Sequence, residues 1–362
     1  MKYNIFLIAI LFVVSCNKEK LSQESVVDSN IVQRNQTELD TYIQTEFVQP
    51  YNIAVEYRWN TNTAPKGSYA YPPSPDKVQQ VLKTIKALWL ELYTLPNLGG
   101  ANFFKGKNPI RIYMYGGKNL DRNGVELIHN PDENPIEMHL YDVNDFDPKD
   151  PVKVFILMRT VHHQFAKRLM ELLPYDRDKF AQISASAYLS DTADLPEKDN
   201  PSAYLRSQSE CSYSSDYRYM VDSETDYQNL LKSFYTVGKT YSVKTLNEDC
   251  TIIRTASNIT AGTQANDAGF YTIHSMLSPE DDFAEIISAN IMHTAAEITA
   301  AQEIAKTPDS SSAEDTAKAA QAYAALTQKQ AMVEEYFKKE IKIDLKRLQL
   351  FSIQQIKTFL NQ

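Results

Sequence analysis

The chain has 362 residues, of which 43% are hydrophobic and 23% charged, with a net charge of −9 and 3 cysteines. That is the composition of a globular domain with enough apolar residues to bury a core. The acidic balance argues against a nucleic-acid partner, whose phosphates it would repel.

At the N-terminus, Lys2 precedes an apolar run from Ile5 to Val14, followed by Ser15 and Cys16. A run of about ten residues is too short to span a hydrocarbon core and suits a signal-peptide h-region. Val13-Val14-Ser15-Cys16 has the form of a lipobox. Signal peptidase II is therefore expected to cut before Cys16, and several acyl chains (palmitate among the usual ones) to anchor the new terminus, each buried methylene adding roughly 0.8 kcal/mol. On this reading residues 1–15 are a lipoprotein signal peptide, 16–36 a polar flexible tether, and 37–362 the folded part. The competing reading is an ordinary secreted protein cut near Ser15. Cys211 and Cys250 then remain as a possible disulfide in an oxidising compartment, and two free thiols are equally compatible with their spacing.

Leu39, Ile43 and Phe47 recur every four residues and predict a helix from Thr37 to about Val48. Ile53, Val55, Tyr57 and Trp59 alternate as in a half-buried strand. A helix is expected from about Asp76 to Tyr93, with Val78, Val81, Leu82, Ile85, Leu88, Trp89 and Leu92 facing the core. Strands are expected over Pro109–Tyr115, Val125–Ile128 and Ile136–Val143, divided by Gly116-Gly117 and Asn130-Pro131-Asp132. Pro151 opens a helix reaching about Leu173, just before Pro174. Residues 175–272 give no clear period. Ser278-Pro279-Glu280-Asp281 reads as a helix start with Ser as cap, Pro at the first position and acid at the third. A long Ala-rich helix follows from Ser311 past Phe337, and Leu345 to Leu360 form the last amphipathic helix.

Thr160-Val161-His162-His163-Gln164-Phe165-Ala166-Lys167 has the outline of a His-Glu-x-x-His helix, in which two histidines on one face bind Zn²⁺ and the Glu activates water. His163 can still be a ligand. Gln164 replaces the base and Lys167 the second ligand: an amide takes no proton from water at neutral pH, and an ammonium has no lone pair for a metal. His162 lies some 100° around the helix from His163. His129, His139 and His293 show no ligand spacing. The bland alternatives are a hydrogen-bonded interior His163, a buried stripe of Val161, Phe165 and Leu169, and Asp281 as a plain capping acid.

Several of these pieces, in this order, resemble the substrate import-associated zinc metallohydrolase lipoproteins, a family of zinc-binding metallopeptidases. The matching residues are Cys16, Pro50 to Trp59, His162-His163-Gln164-Phe165-Ala166, Gly269-Phe270, Asp281-Asp282-Phe283-Ala284-Glu285, Tyr336-Phe337 and Ile343-Asp344-Leu345. The resemblance implies an α+β, zincin-like fold: a small mixed N-terminal sheet with the motif helix over 37–174, then a mainly helical part over 175–362. It implies zinc-dependent peptide hydrolysis as the family reaction. It also implies association with SusC/SusD-type TonB-dependent nutrient importers at the outer membrane, a TonB-dependent transporter and a SusD-type lipoprotein being the expected partners. Similarity to gluzincin-like toxins puts the third zinc ligand on Asp281 and an oxyanion-stabilising Tyr position on His274. Gln164, Lys167, Asp281 and His274 all depart from the family pattern, so a pseudo-metallopeptidase without bound zinc is expected, with His163 and Asp281 as vestigial ligands. It would bind a peptide, a glycan or a partner protein. An active metallohydrolase using His163, Asp281 and His274, and a purely structural subunit, are the alternatives. In the pseudo-metallopeptidase Lys167 is expected to replace the zinc charge and pair with Asp281 as a buried ion pair, whose loss would cost several kcal/mol.

Overall fold

The computed structural model describes residues 36–58, 70–119, 134–188, 244–246, 252–255, 266, 268–272, 274–308 and 310–362, but not the side chains of 244–246, 252–255 and 274. Cys16 and the signal peptide, Trp59, the strand expected at Val125–Ile128, His129, Cys211 and Cys250 lie outside the described residues.

The chain divides after Tyr42 into two units. In the first, Thr37 starts helix α1 (Glu38–Ile43): its N–H and Oγ1 donate to Asp40 Oδ2 at 2.9 and 2.8 Å, and Oγ1 accepts from Asp40 N at 3.3 Å. This reciprocal pairing satisfies donors that a helix start otherwise leaves open.

The second unit, Ile43–Gln362, holds the remaining elements. A π turn (Gln44–Val48) and a last helical turn (Gln49–Tyr51) end at Asn52, whose φ of 54° is the left-handed stop for which Asn is suited. Strands β1 (Ala54–Glu56), β2 (Arg111–Met114) and β3 (Glu137–Leu140) form a sheet in that order. The α+β class is as expected, but the sheet differs in detail: both strand pairs are parallel where a mixed sheet was expected. Helix α2 (Pro75–Ile85), prolonged by a π turn (Lys86–Leu90) and a last turn (Glu91–Thr94), forms the crossover that returns β2 beside β1 in the same direction. Ile112, Met114, Met138 and Leu140 are buried on one face of the sheet, and Arg111, Tyr113, Glu137 and His139 are half-exposed on the other.

Helix α3 (Pro151–Leu172) carries the motif; Asp150 caps it, accepting from Val152 N at 2.8 Å, and Pro151 occupies the first position. Its stripe of Val161, Phe165 and Leu169 is wholly buried. Phe165 enters an aromatic cluster, with ring centroids 5.2 Å from Trp89, 5.3 Å from Tyr93 and 5.4 Å from Phe104. The edge-on contacts with Trp89 and Tyr93 hold α3 in register with the prolonged α2. A short helix α4 (Arg177–Gln182) and an antiparallel pair, β4 (Lys244–Leu246) and β5 (Ile252–Thr255), follow.

Helix α5 (Pro279–Met292) is buried along nearly its whole length and packs against α3, α7 (Ala313–Tyr336) and α8 (Leu345–Leu360). Ser278 caps it, accepting from Asp281 N at 3.0 Å. Helix α6 (Ala295–Ala305) lies between α5 and α7 in the chain and starts with a Thr294–Glu297 capping box. The core therefore sits around α5, with its acidic first turn facing both α3 and α7.

Candidate functional site

The site forms where α3 crosses the start of α5. Arg159, His163 and Lys167 recur every four residues, so they line one face of α3. Asp281 and Glu285 do the same on α5. The two rows meet. His163 Nδ1 lies 2.8 Å from Glu285 Oε1, and His163 Nε2 lies 3.4 Å from Asp281 Oδ1. Lys167 Nζ donates to the same Asp281 oxygen at 2.9 Å. At the other end Arg159 pairs with Glu285 Oε2, which also accepts from Thr272 Oγ1 at 3.1 Å. Asp281 Oδ2 accepts from Ser278 Oγ at 2.7 Å, so this acid is capping residue and ion-pair partner together.

Burial pulls the His163 pKa down, but the contacts with Asp281 and Glu285 outweigh it and hold the pKa above its ordinary value. With a carboxylate at each ring nitrogen, the imidazolium is the favoured form. His162, one residue away, has the opposite fate. It is buried against Tyr93 at 6.0 Å between ring centroids, and among the described residues neither ring nitrogen has a hydrogen-bond partner. Burial, with Arg159 adding to it, lowers its pKa to about 3.

Gln164 turns away from the charged row toward the sheet. His139 N donates to its Oε1 at 2.7 Å, and its Nε2 donates to His139 O at 2.8 Å. His139 itself lies over Tyr113 at 5.0 Å, and Tyr115 Oη is 3.0 Å from its Nδ1. Burial lowers the His139 pKa to about 4. His274 belongs to a short 3₁₀ turn (His274–Met276) just ahead of α5, and its side chain lies outside the described residues. His293, at the end of α5, is far along the helix from Asp281 and meets Glu297 Oε2 at 3.7 Å.

A second charged group lies beside the first. Asp282 Oδ2 pairs with Lys329 Nζ of α7 at 2.7 Å and accepts from Tyr188 Oη at 2.9 Å. Lys329 also donates to Gly269 O at 3.0 Å and sits 3.7 Å from the Phe270 ring centroid. Gly269 has φ +82°, and a Cβ there would lie 2.7 Å from Ala325 Cβ, so glycine is needed to present that carbonyl.

A family model described as "Putative zinc-binding metallo-peptidase" matches residues 32–346. The chain belongs to this family. One solved structure, a crystal structure of a putative zinc-binding metallo-peptidase from Bacteroides caccae ATCC 43185, is similar over 91% of this chain and 95% of its own, at 18% identity and a TM-score of 0.53. That likeness supports the shared fold. Comparison with curated proteins finds no match.

The family name implies zinc, and the donor set can be tested against it. Zinc needs deprotonated ligands with free lone pairs. Here Asp281 Oδ1 is held by an ammonium, Glu285 Oε2 by a guanidinium and a hydroxyl, and both His163 nitrogens face carboxylates. Among the described residues no group of three His, Cys, Asp or Glu side chains is arranged to hold a metal. As placed, these residues do not make a zinc site.

The Lys167–Asp281 pair is in place, but it is wetter than expected. The Lys167 side chain is 27% exposed against 5% for Asp281. Losing Lys167 would leave Asp281 with His163 and Ser278, so the expected cost of several kcal/mol is too high. The sequence reading missed Arg159, Glu285, Gln164's bond to the sheet and the Lys329 group. Glu285 and Arg159 had a signal: each is one helical turn from a residue already singled out. Lys329 had none.

Proposed function

We propose that this chain is a non-catalytic member of the zinc-binding metallopeptidase family. It is an outer-membrane lipoprotein anchored at Cys16, accessory to SusC/SusD-type TonB-dependent import, and it binds a peptide, a glycan or a partner protein. The observation that carries the non-catalytic part is the ion-pair row itself: protein cations occupy the carboxylates that would bind a metal. Gln164 reinforces it, because the side chain at the position of the base is committed to a strand backbone. Anchoring and import rest on the lipobox and on the resemblance described above.

The test is metal content. The mature protein is equilibrated with zinc, desalted and measured by mass spectrometry, alongside a Lys167→His variant. Zinc well below one equivalent per chain is expected in the unaltered protein. Near-stoichiometric zinc would overturn the proposal and favour the active metallohydrolase built on His163, Asp281 and His274.

A further inference from the structure

Gln164 makes a contact that a carboxylate at the same place cannot. Strand β3 is the last of its sheet among the described residues. Ile136 O accepts from Ile110 N and Leu140 O from Tyr115 N, both at 2.9 Å, so the even-numbered residues of β3 turn their backbone groups to β2. Alternation turns those of Glu137 and His139 to the edge that no described strand pairs. The Glu137 N–H folds back onto Asn134 O at 2.9 Å. The His139 N–H and C=O are both taken by the Gln164 carboxamide.

An open strand edge is a template for another strand, and extended peptides use it through main-chain hydrogen bonds. A planar carboxamide offers one donor and one acceptor side by side, the pattern of one residue of an added strand. A carboxylate could accept from His139 N but would set its second oxygen against His139 O with no proton between them.

We propose that Gln164 is a built-in plug that stands in for a strand at His139 and keeps extended peptides off the edge of β3. This rests on the non-catalytic reading and narrows it. The partner is recognised without main-chain pairing at this edge, which leaves a folded protein surface or a glycan and excludes an extended peptide bound as an added strand. The carboxamide that stands at the position of the base therefore also occupies the backbone groups of His139.

The experiment is hydrogen exchange over residues 137–141 in the mature protein and in Gln164→Ala and Gln164→Met, the latter keeping side-chain length and helix propensity. The probe is a blocked Thr-Val-Thr-Val-Thr-Val hexapeptide at about 1 mM. The His139 amide is expected to exchange about tenfold faster in both variants, the size of one lost hydrogen bond. The hexapeptide is expected to restore protection in the variants and to change nothing in the unaltered protein. Unchanged exchange in both variants, protection by peptide in the unaltered protein, or no protection by peptide in either variant would each overturn the plug. Zinc retention with the expected exchange pattern would instead sink the non-catalytic reading and leave the plug intact.

Discussion

Asp281 and Asp282 are consecutive residues in the first turn of α5, yet each meets a different lysine in a different medium. Asp281 faces α3 and Lys167, which keeps about a quarter of its side chain in water. Asp282 faces α7 and Lys329, and both side chains are wholly buried. For Asp282, burial raises the pKa and Lys329 only partly offsets it; for Lys329, burial lowers the pKa and Asp282 only partly offsets it. Two neighbouring ion pairs on one helix end thus differ in what they do. The dry pair fixes α5 against α7 and the Gly269–Phe270 turn. The wetter pair lies where α3 crosses the start of α5, where a lysine can reach a carboxylate and still touch solvent. The difference teaches that the cation at Lys167 is held at the water's edge, whereas the cation at Lys329 is part of the packed interior.

The sharpest way to break this comparison is Lys329→Ala. Removing one partner of a dry pair leaves Asp282 charged without a counter-ion, which costs about 3–5 kcal/mol. Chemical denaturation of the mature protein checks this. A loss below that of Lys167→Ala would show that the two pairs have been ranked the wrong way round. Lys167→Ala is expected to cost about 1–2 kcal/mol, because water, His163 and Ser278 remain around Asp281. Equal costs for the two lysines would erase the distinction.

The elements were largely legible. Helices announced by Pro151, Ser278 and Leu345 begin within a residue of the expected place, because capping chemistry is local. The parallel direction of β1, β2 and β3 was not, since direction depends on the crossover through α2 and not on alternation within a strand. In the site, the spacing of His163 and Lys167 on α3 and the acid at Asp281 could be read because all three fall in two short helical segments. Lys329 could not. It lies in an Ala-rich helix among ordinary surface-type residues, and only the tertiary contact with Asp282, Tyr188 and Phe270 gives it a role. Gln164 was read as a lost base, and its bond to His139 depends on where the sheet edge falls, which no local pattern reports.

The smallest effect concerns the neighbours His162 and His163 and extends the contrast to protons. His163 has a raised pKa, so its contribution is present below the ordinary histidine value of about 6.5 and fades as pH rises through its folded value. His162 is depressed to about 3, so its neutral ring is matched to the fold above about 6.5. As pH falls below that value the unfolded chain binds a proton that the folded chain does not, and stability drops. His162→Phe removes this term without leaving a described partner unpaired, because neither ring nitrogen has one among the described residues. Relative to the unaltered protein, the variant should gain about 0.7 kcal/mol between pH 7 and pH 6, and more toward pH 5. Denaturation at pH 7, 6 and 5 measures the difference. A pH-independent difference would mean that His162 takes up its proton equally well in the folded and unfolded chain, and the contrast would then rest on His163 alone.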